Sequence, residues 1–403
     1  MALAGPAAAA PADLDRSFGG GDGNVGVEGP FGTTLPRDAG ARMAVGPHDE
    51  IFVLYSNYPA CEPPGTCSVS LSVLRYDADG RRDLSFGAGP GSQLTVEESP
   101  AFGSPFDLAI GLDGKPVVAA GDGGRIVVAR FDQMGRLDPT FGSGGVSSSI
   151  PLTPFEPPVV AVQPDGKVVV AVEGTFEGEG KRLELGRYLP DGAPDPGFGI
   201  GGEAAMTLGT RTRPAGVMLG PGGTATVATP QCCGGSRQFG SGFSLARFLP
   251  EGRPDPGFDG DGQLLFSTPG LEATVEAAAL GPDGSTFVVF EEGTEIRYTT
   301  GNVVKLSSAG VLDPAFGSSG RVSFGDRLDV SRSYDALVDA QGRLVGVGWG
   351  GVAVAYRLRA DGGIDRTFNG GQAFPFGVGD AHASAAAVGL QSDGGIVVLT
   401  ETI

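Results

Sequence analysis

One six-residue motif recurs seven times along the chain, and it limits the fold more than any other feature. The copies are LDRSFG at 14–19, RDLSFG at 82–87, LDPTFG at 137–142, PDPGFG at 194–199, PDPGFD at 254–259, LDPAFG at 312–317 and IDRTFN at 364–369. They share an aspartate (Asp15, Asp83, Asp138, Asp195, Asp255, Asp313, Asp365) and, three residues on, a phenylalanine (Phe18, Phe86, Phe141, Phe198, Phe258, Phe316, Phe368). The next residue is always glycine, aspartate or asparagine, the set that tolerates positive φ. An aspartate that bonds its own backbone, an apolar plug and a left-handed residue describe a corner between strands. The period is 52 to 68 residues, the range of propellers and arrays.

Two further markers keep register with the corner. A turn glycine precedes the aspartate by three residues (Gly80, Gly135, Gly192, Gly252, Gly310, Gly362). A cation precedes it by eight (Arg75, Arg130, Arg187, Arg247, Lys305, Arg357), which predicts one structural ion pair or backbone clamp per repeat. Between corners the chain reads strand, turn, strand, loop, strand. VVAVQPDGKVVVAVEG, at 159–174, is a hairpin around a DG turn, and RIVVARFDQMG, at 125–135, supplies a third strand. Helical periodicity is almost absent.

These units predict an all-β chain, a seven-bladed β-propeller of four-stranded antiparallel blades. The last blade is expected to be split between the termini, closing the ring, with the alanine-rich start a poor third strand for it. Residues 1–12 read as a signal-peptide remnant or flexible N-terminus, and 13–403 as a single propeller domain. The 71 glycines and 31 prolines suit the many turns, while a 40% apolar fraction argues against disorder.

The corners, QPDGKVVVA hairpins and ARF or GRY strands together resemble the delta-60 repeat family, bacterial β-propellers often found in secreted or surface proteins. A more distant likeness is to NHL-repeat propellers. By that likeness, strands such as VVAVQ line the axis. The resemblance implies no catalytic residues.

Charge and cysteine bound the function. A net charge of −19 leaves no electrostatic footprint for nucleic acid. No run of about 18 apolar residues is present to span a membrane. Cys61 and Cys67 share one loop and Cys232 and Cys233 are adjacent, suggesting two local disulfides and a secreted or cell-surface location. A four-thiolate metal site is the rival reading. Both pairs fall in the variable loops between second and third strands, where a bridge would either pre-organise a recognition loop or simply protect it.

Charged residues near the start of the innermost strands converge on one mouth of the axis: Arg42, Asp107, Glu156, Arg213, Glu276, Arg332, Asp335 and His382. They form either a small-molecule or Ca²⁺ site or a solvated rim. His48 reads as a turn residue, and Trp349 as a packed aromatic or a sugar platform. No Gly-x-Ser-x-Gly elbow, HExxH or phosphate loop occurs. The expectation is a monomeric binding module for a protein or glycan, using loops and channel mouth. The alternative is a lactonase- or lyase-type enzyme with an axial metal.

Overall fold

The computed structural model describes residues 2–4, 15–20, 24–26, 41–57, 68–87, 92–97, 106–122, 125–147, 157–176, 180–208, 213–232, 239–268, 271–294, 297–324, 328, 330, 332–376 and 383–402. Among them, every sheet is antiparallel and each runs from an innermost strand at the axis to an outermost strand at the rim. Second strands are rich in apolar residues buried on both faces, as in Val168–Phe176, where Val168 to Val172 are sealed from solvent. The chain is a β-propeller.

The expected count of seven four-stranded blades, the last closed by the two termini, needs correction. Six blades, not seven, fold from contiguous chain, with innermost strands Ala41–Val45, Phe106–Ile110, Val159–Val162, Gly216–Leu219, Glu272–Leu280 and Arg332–Val338. The remaining sheet is composite. Its order is Ala383–Leu390, Ile396–Thr402, Ala2–Ala4 and Asn24–Gly26, so two short strands from one end of the sequence complete a hairpin from the other. Leu3 pairs with Leu399 on one side and Val25 on the other. The physical reason is edge pairing. The strand Ile396–Thr402 pairs with Ala383–Leu390 along one edge, and its other backbone edge is satisfied by Ala2–Ala4. Ala2–Ala4 thus forms a strand despite poor β-propensity, inside the segment expected to be a leader remnant. The sheets are also uneven, the outermost strand of the second blade being only Val146–Ser147.

The core is divided among the spaces between neighbouring sheets. Phe52, Leu54, Val118 and Ala120 meet between the first and second blades. Phe18, Val53, Tyr55, Val397 and Leu399 fill the seam between the composite sheet and the first blade.

The recurring corner is where one sheet grips the next. Asp195 illustrates it. Its Oδ1 accepts the Gly197 amide (2.9 Å) and its Oδ2 accepts Arg187 Nε (2.8 Å). The same guanidinium lies over the Phe198 ring at 4.5 Å and donates from Nη1 to the Pro250 carbonyl of the following blade (2.5 Å). Arg75, Arg130 and Arg247 make equivalent bridges to Gln133, Pro190 and Ser308. The residue after the phenylalanine has positive φ throughout, including the non-glycines Asp259 (φ 48°) and Asn369 (φ 45°). Its amide also crosses to the neighbour, as Gly142 N to Asp191 O (2.7 Å). The turn glycine of each repeat receives this corner: a Cβ on Gly192 would stand 2.5 Å from Gly142 N.

Candidate functional site

Alternation of strand direction sorts the connections onto two faces. Innermost strands run toward the DG-type turns, so those turns and the Asp-x-x-Phe corners share one face. The starts of the innermost strands and the second-to-third-strand connections share the other. A cavity of about 740 Å³ opens among those starts, on the axis.

Five of the residues singled out from the sequence line this cavity: Arg42, Asp107, Arg213, Glu276 and Asp335. Glu156 and His382 lie outside the described residues, as do Cys61, Cys67 and Cys233. Cys232 ends the strand Ala225–Cys232, its backbone opposite Phe239. His48 sits exposed at a turn, 3.3 Å from Glu50. Trp349 ends a second strand, opposite Arg332 and Ala353.

Register explains why three of the five converge. Arg42, Asp107 and Asp335 each stand four residues before the residue whose amide closes the hairpin turn, Gly46, Gly111 and Asp339. They therefore occupy one level of the ring, across from Leu54, Ala119 and Val347 of their second strands. Glu276 arrives differently. The pairing register slips between Val275 and Ala277, leaving Glu276 as the extra residue of a β-bulge. The same slip leaves Tyr334 and Ala386 as extra residues in the next two innermost strands. All three bulged residues line the cavity, in keeping with the use of bulges to re-aim side chains at sites.

The two aspartates are fixed by backbone. An innermost strand has one edge facing the axis, with amides that no neighbouring strand satisfies. Asp107 Oδ2 accepts such an amide from Val160, in the next blade (2.8 Å). Asp335 Oδ2 does the same for Val388 of the composite sheet (2.9 Å), while its Oδ1 accepts from Ala336 (2.8 Å). Each carboxylate thus ties two sheets together at the axis.

Electrostatics set these groups apart from the corner aspartates. Burial pushes the Asp335 carboxyl up to about 6, with the Asp107 charge adding to the rise and Arg42 opposing it. Burial also raises Asp107, against the charge of Arg42. Glu276 is raised by burial too, partly offset by a hydrogen bond from Thr274 (2.9 Å) and the charges of Arg213 and Arg332. At the corners the direction reverses. Asp83 is held down at about 2 by Ser85, with Arg75 reinforcing it. At Asp138 burial acts upward, but bonds from Lys115 and Thr140 and the charge of Arg130 overcome it.

Arg42 is not spent on its partner. Its Nε stands 3.7 Å from Asp107 Oδ1, beyond hydrogen-bond range, and its side chain is 44% exposed. Its Nη1 bonds the Ala41 carbonyl of its own strand (3.0 Å). Beside Arg213, the third and fourth blades add Pro157, Pro158, Val159, Pro214 and Pro230 to the lining. Among the described residues, no group of three or more His, Cys, Asp or Glu side chains is disposed to hold a metal ion. No helix there is long and apolar enough to cross a membrane.

The sequence reading missed Tyr334, Thr274, Ser384 and the proline wall. Their signal was present only as position relative to the turn, and the bulges shift that position by one.

A family model described as "Domain of unknown function (DUF5122) beta-propeller" matches residues 113–141 and 163–198. No curated protein matches. Solved structures with similar arrangement include the Dos1 propeller, 10% identical with TM-score 0.45, covering 91% of this chain and 94% of that one. A Penicillium chrysogenum alpha-L-arabinanase complexed with arabinobiose is 12% identical with TM-score 0.42, covering 93% and 96%. A putative gluconolactonase is 13% identical with TM-score 0.32, covering 71% and 84%. At these values none of the likenesses bears on activity.

Proposed function

We propose that this chain is an extracytoplasmic binding module of the delta-60 repeat kind, taking a small polar ligand in the axial cavity on its loop-bearing face. The observation that carries this reading is the convergence of Arg42, Asp107, Arg213, Glu276 and Asp335 on one cavity. Its size is within the usual range of ligand sites, and desolvated carboxylates in a cleft are a common mark of one. The second-to-third-strand loops open on the same face, so a larger partner would meet both. The local cysteine pairs read from the sequence favour the extracytoplasmic setting.

The test uses a variant that fills the cavity without disturbing the fold. Gly216 lines the cavity, and a Cβ placed on it meets nothing within 4 Å. A thermal-shift screen of small polar metabolites against the wild type and Gly216→Leu should find compounds that stabilise only the wild type. If no compound gives a shift sensitive to Gly216→Leu, this reading fails.

The raised Asp335 carboxyl favours a second reading, an enzyme of lactonase or lyase type in which this group exchanges a proton near neutral pH. Turnover of a lactone panel that follows a single ionisation near 6 and disappears in Asp335→Asn would support it.

A further inference from the structure

We infer that the ligand of the axial cavity is a neutral polyhydroxylated molecule, a short oligosaccharide, bound by the Arg42–Asp107–Asp335 arc and the lining prolines. This rests on the axial-cavity reading above and specifies its chemistry.

The argument turns on how charge is distributed around the ring. Arg42 stands beside Asp107 and both act on Asp335, while Arg213 in the same lining acts on Glu276, so each anion there has a cation near it. A cationic group drawn to either aspartate would stand against Arg42. An anionic group drawn to Arg42 would stand against the two aspartates. Like-charge juxtaposition of this kind is how a site rejects charged competitors. A hydroxyl has no such conflict, because it donates through its hydrogen and accepts through its lone pairs.

The spacing fits the same chemistry. Arg42 Nε and Asp107 Oδ1 are too far apart, at 3.7 Å, to bond each other. A hydroxyl between them can accept from the guanidinium and donate to the carboxylate. The aspartates cannot swing away from this task, since Val160 and Val388 hold their Oδ2 atoms from the neighbouring sheets. Tyr334, Thr274 and Ser384 add hydroxyls to the lining. Pro157, Pro158, Pro214 and Pro230 of the same lining supply apolar rings for the carbon-bound hydrogens of a sugar. A cavity of about 740 Å³ has room for a few such rings.

The experiment is isothermal titration of the whole chain at neutral pH with cellotriose, xylotriose, maltotriose and mannotriose, beside trigalacturonate and spermidine as charged comparators. Wild type, Arg42→Gln and Gly216→Leu are measured together, with circular dichroism confirming that each variant is folded. The expected result is binding of at least one neutral trisaccharide, weakened tenfold or more by each substitution. Binding of trigalacturonate or spermidine alone, sensitive to Gly216→Leu, overturns the polyol assignment while leaving the cavity reading intact. Binding of a neutral trisaccharide that Gly216→Leu leaves unchanged overturns it too, by moving the site elsewhere. Failure of every neutral trisaccharide to bind also overturns it. The cavity reading itself falls only if the metabolite screen is empty as well.

Discussion

The cation eight residues before a corner aspartate can do three things at once, and Arg187 shows all of them. It pairs with Asp195, covers the Phe198 ring and holds the Pro250 carbonyl of the next blade. Both charged side chains are almost wholly buried, at 6% and 7% exposure. Breaking a buried pair strands the remaining charge and costs about 3 kcal/mol. Arg187→Ala should therefore lower unfolding free energy by about that amount in urea titrations, whereas Arg81→Ala, whose partners Asp77 and Asp79 are exposed, should cost under about 1 kcal/mol. Equal losses at the two sites would refute the clamp. The three lysines near corners extend the same device: Lys115, Lys167 and Lys305 each reach both a turn aspartate and a corner aspartate.

Titration separates the two kinds of aspartate. Asp335 has a folded value of about 6 against an ordinary 3.8, so its ionised form is less favourable in the folded state. Its penalty is present above about 6 and is relieved as pH falls from 6 toward 4. The shift corresponds to at most about 3 kcal/mol. Asp83, held at about 2, contributes stability that is present above 3.8 and lost as pH falls through 2. Denaturation midpoints measured from pH 7 to 4 should therefore rise more steeply toward acid in the wild type than in Asp335→Asn. Parallel profiles would show that Asp335 does not carry this dependence.

At the scale of the strand and turn, glycines that look alike in sequence divide by what approaches them. Gly192 (φ 83°) has no room for a Cβ, because Gly142 N lies 2.5 Å from where it would stand. Gly201 (φ 67°) has nothing within 4 Å. Gly201→Ala should cost about 1–2 kcal/mol, the left-handed backbone penalty alone. Gly192→Ala should cost clearly more, because the neighbouring corner must move as well. Differential scanning calorimetry of the two variants tests this, and equal melting temperatures would contradict the close approach. The bulges belong to the same scale. Nothing in the letters around Val275, Ser333 or Ala385 marks an extra residue, since period-2 patterning cannot distinguish a slipped register from a polar residue facing outward.

For the whole molecule, closure rests on three residues. Ala2–Ala4 covers the edge of Ile396–Thr402, and Leu3 pairs on both sides. Leu3→Pro removes a ladder donor and leaves that edge open. The expected outcome is a lower melting temperature with a concentration-dependent increase in oligomers by light scattering, from edge-to-edge pairing. A monomer with unchanged melting would mean that the composite sheet does not depend on its third strand.

Much of the propeller could be read in the letters because its determinants are local. The corner motif, the turn glycine and the paired cation lie within about a dozen residues of one another, so the chain displays the corner seven times and all three together six times. Convergence of Arg42, Asp107 and Asp335 was also readable, since position before a turn fixes a level on the ring. Three matters were not local, and the letters left them incomplete until the chain was folded. Blade count depends on which backbone reaches an open edge, and that brought Ala2–Ala4 to Ile396–Thr402. The cavity lining depends on register slips: Glu276 could be named from its place near the start of a strand, but the slips that brought Tyr334 and Ala386 to the axis could not be read. The charge state of Asp335 depends on burial among groups from sheets far apart in sequence, with Val388, Arg42 and Asp107 around it. Repetition along a chain specifies the unit. How the units close, and what their shared axis can bind, is set by contacts between residues that no local pattern links.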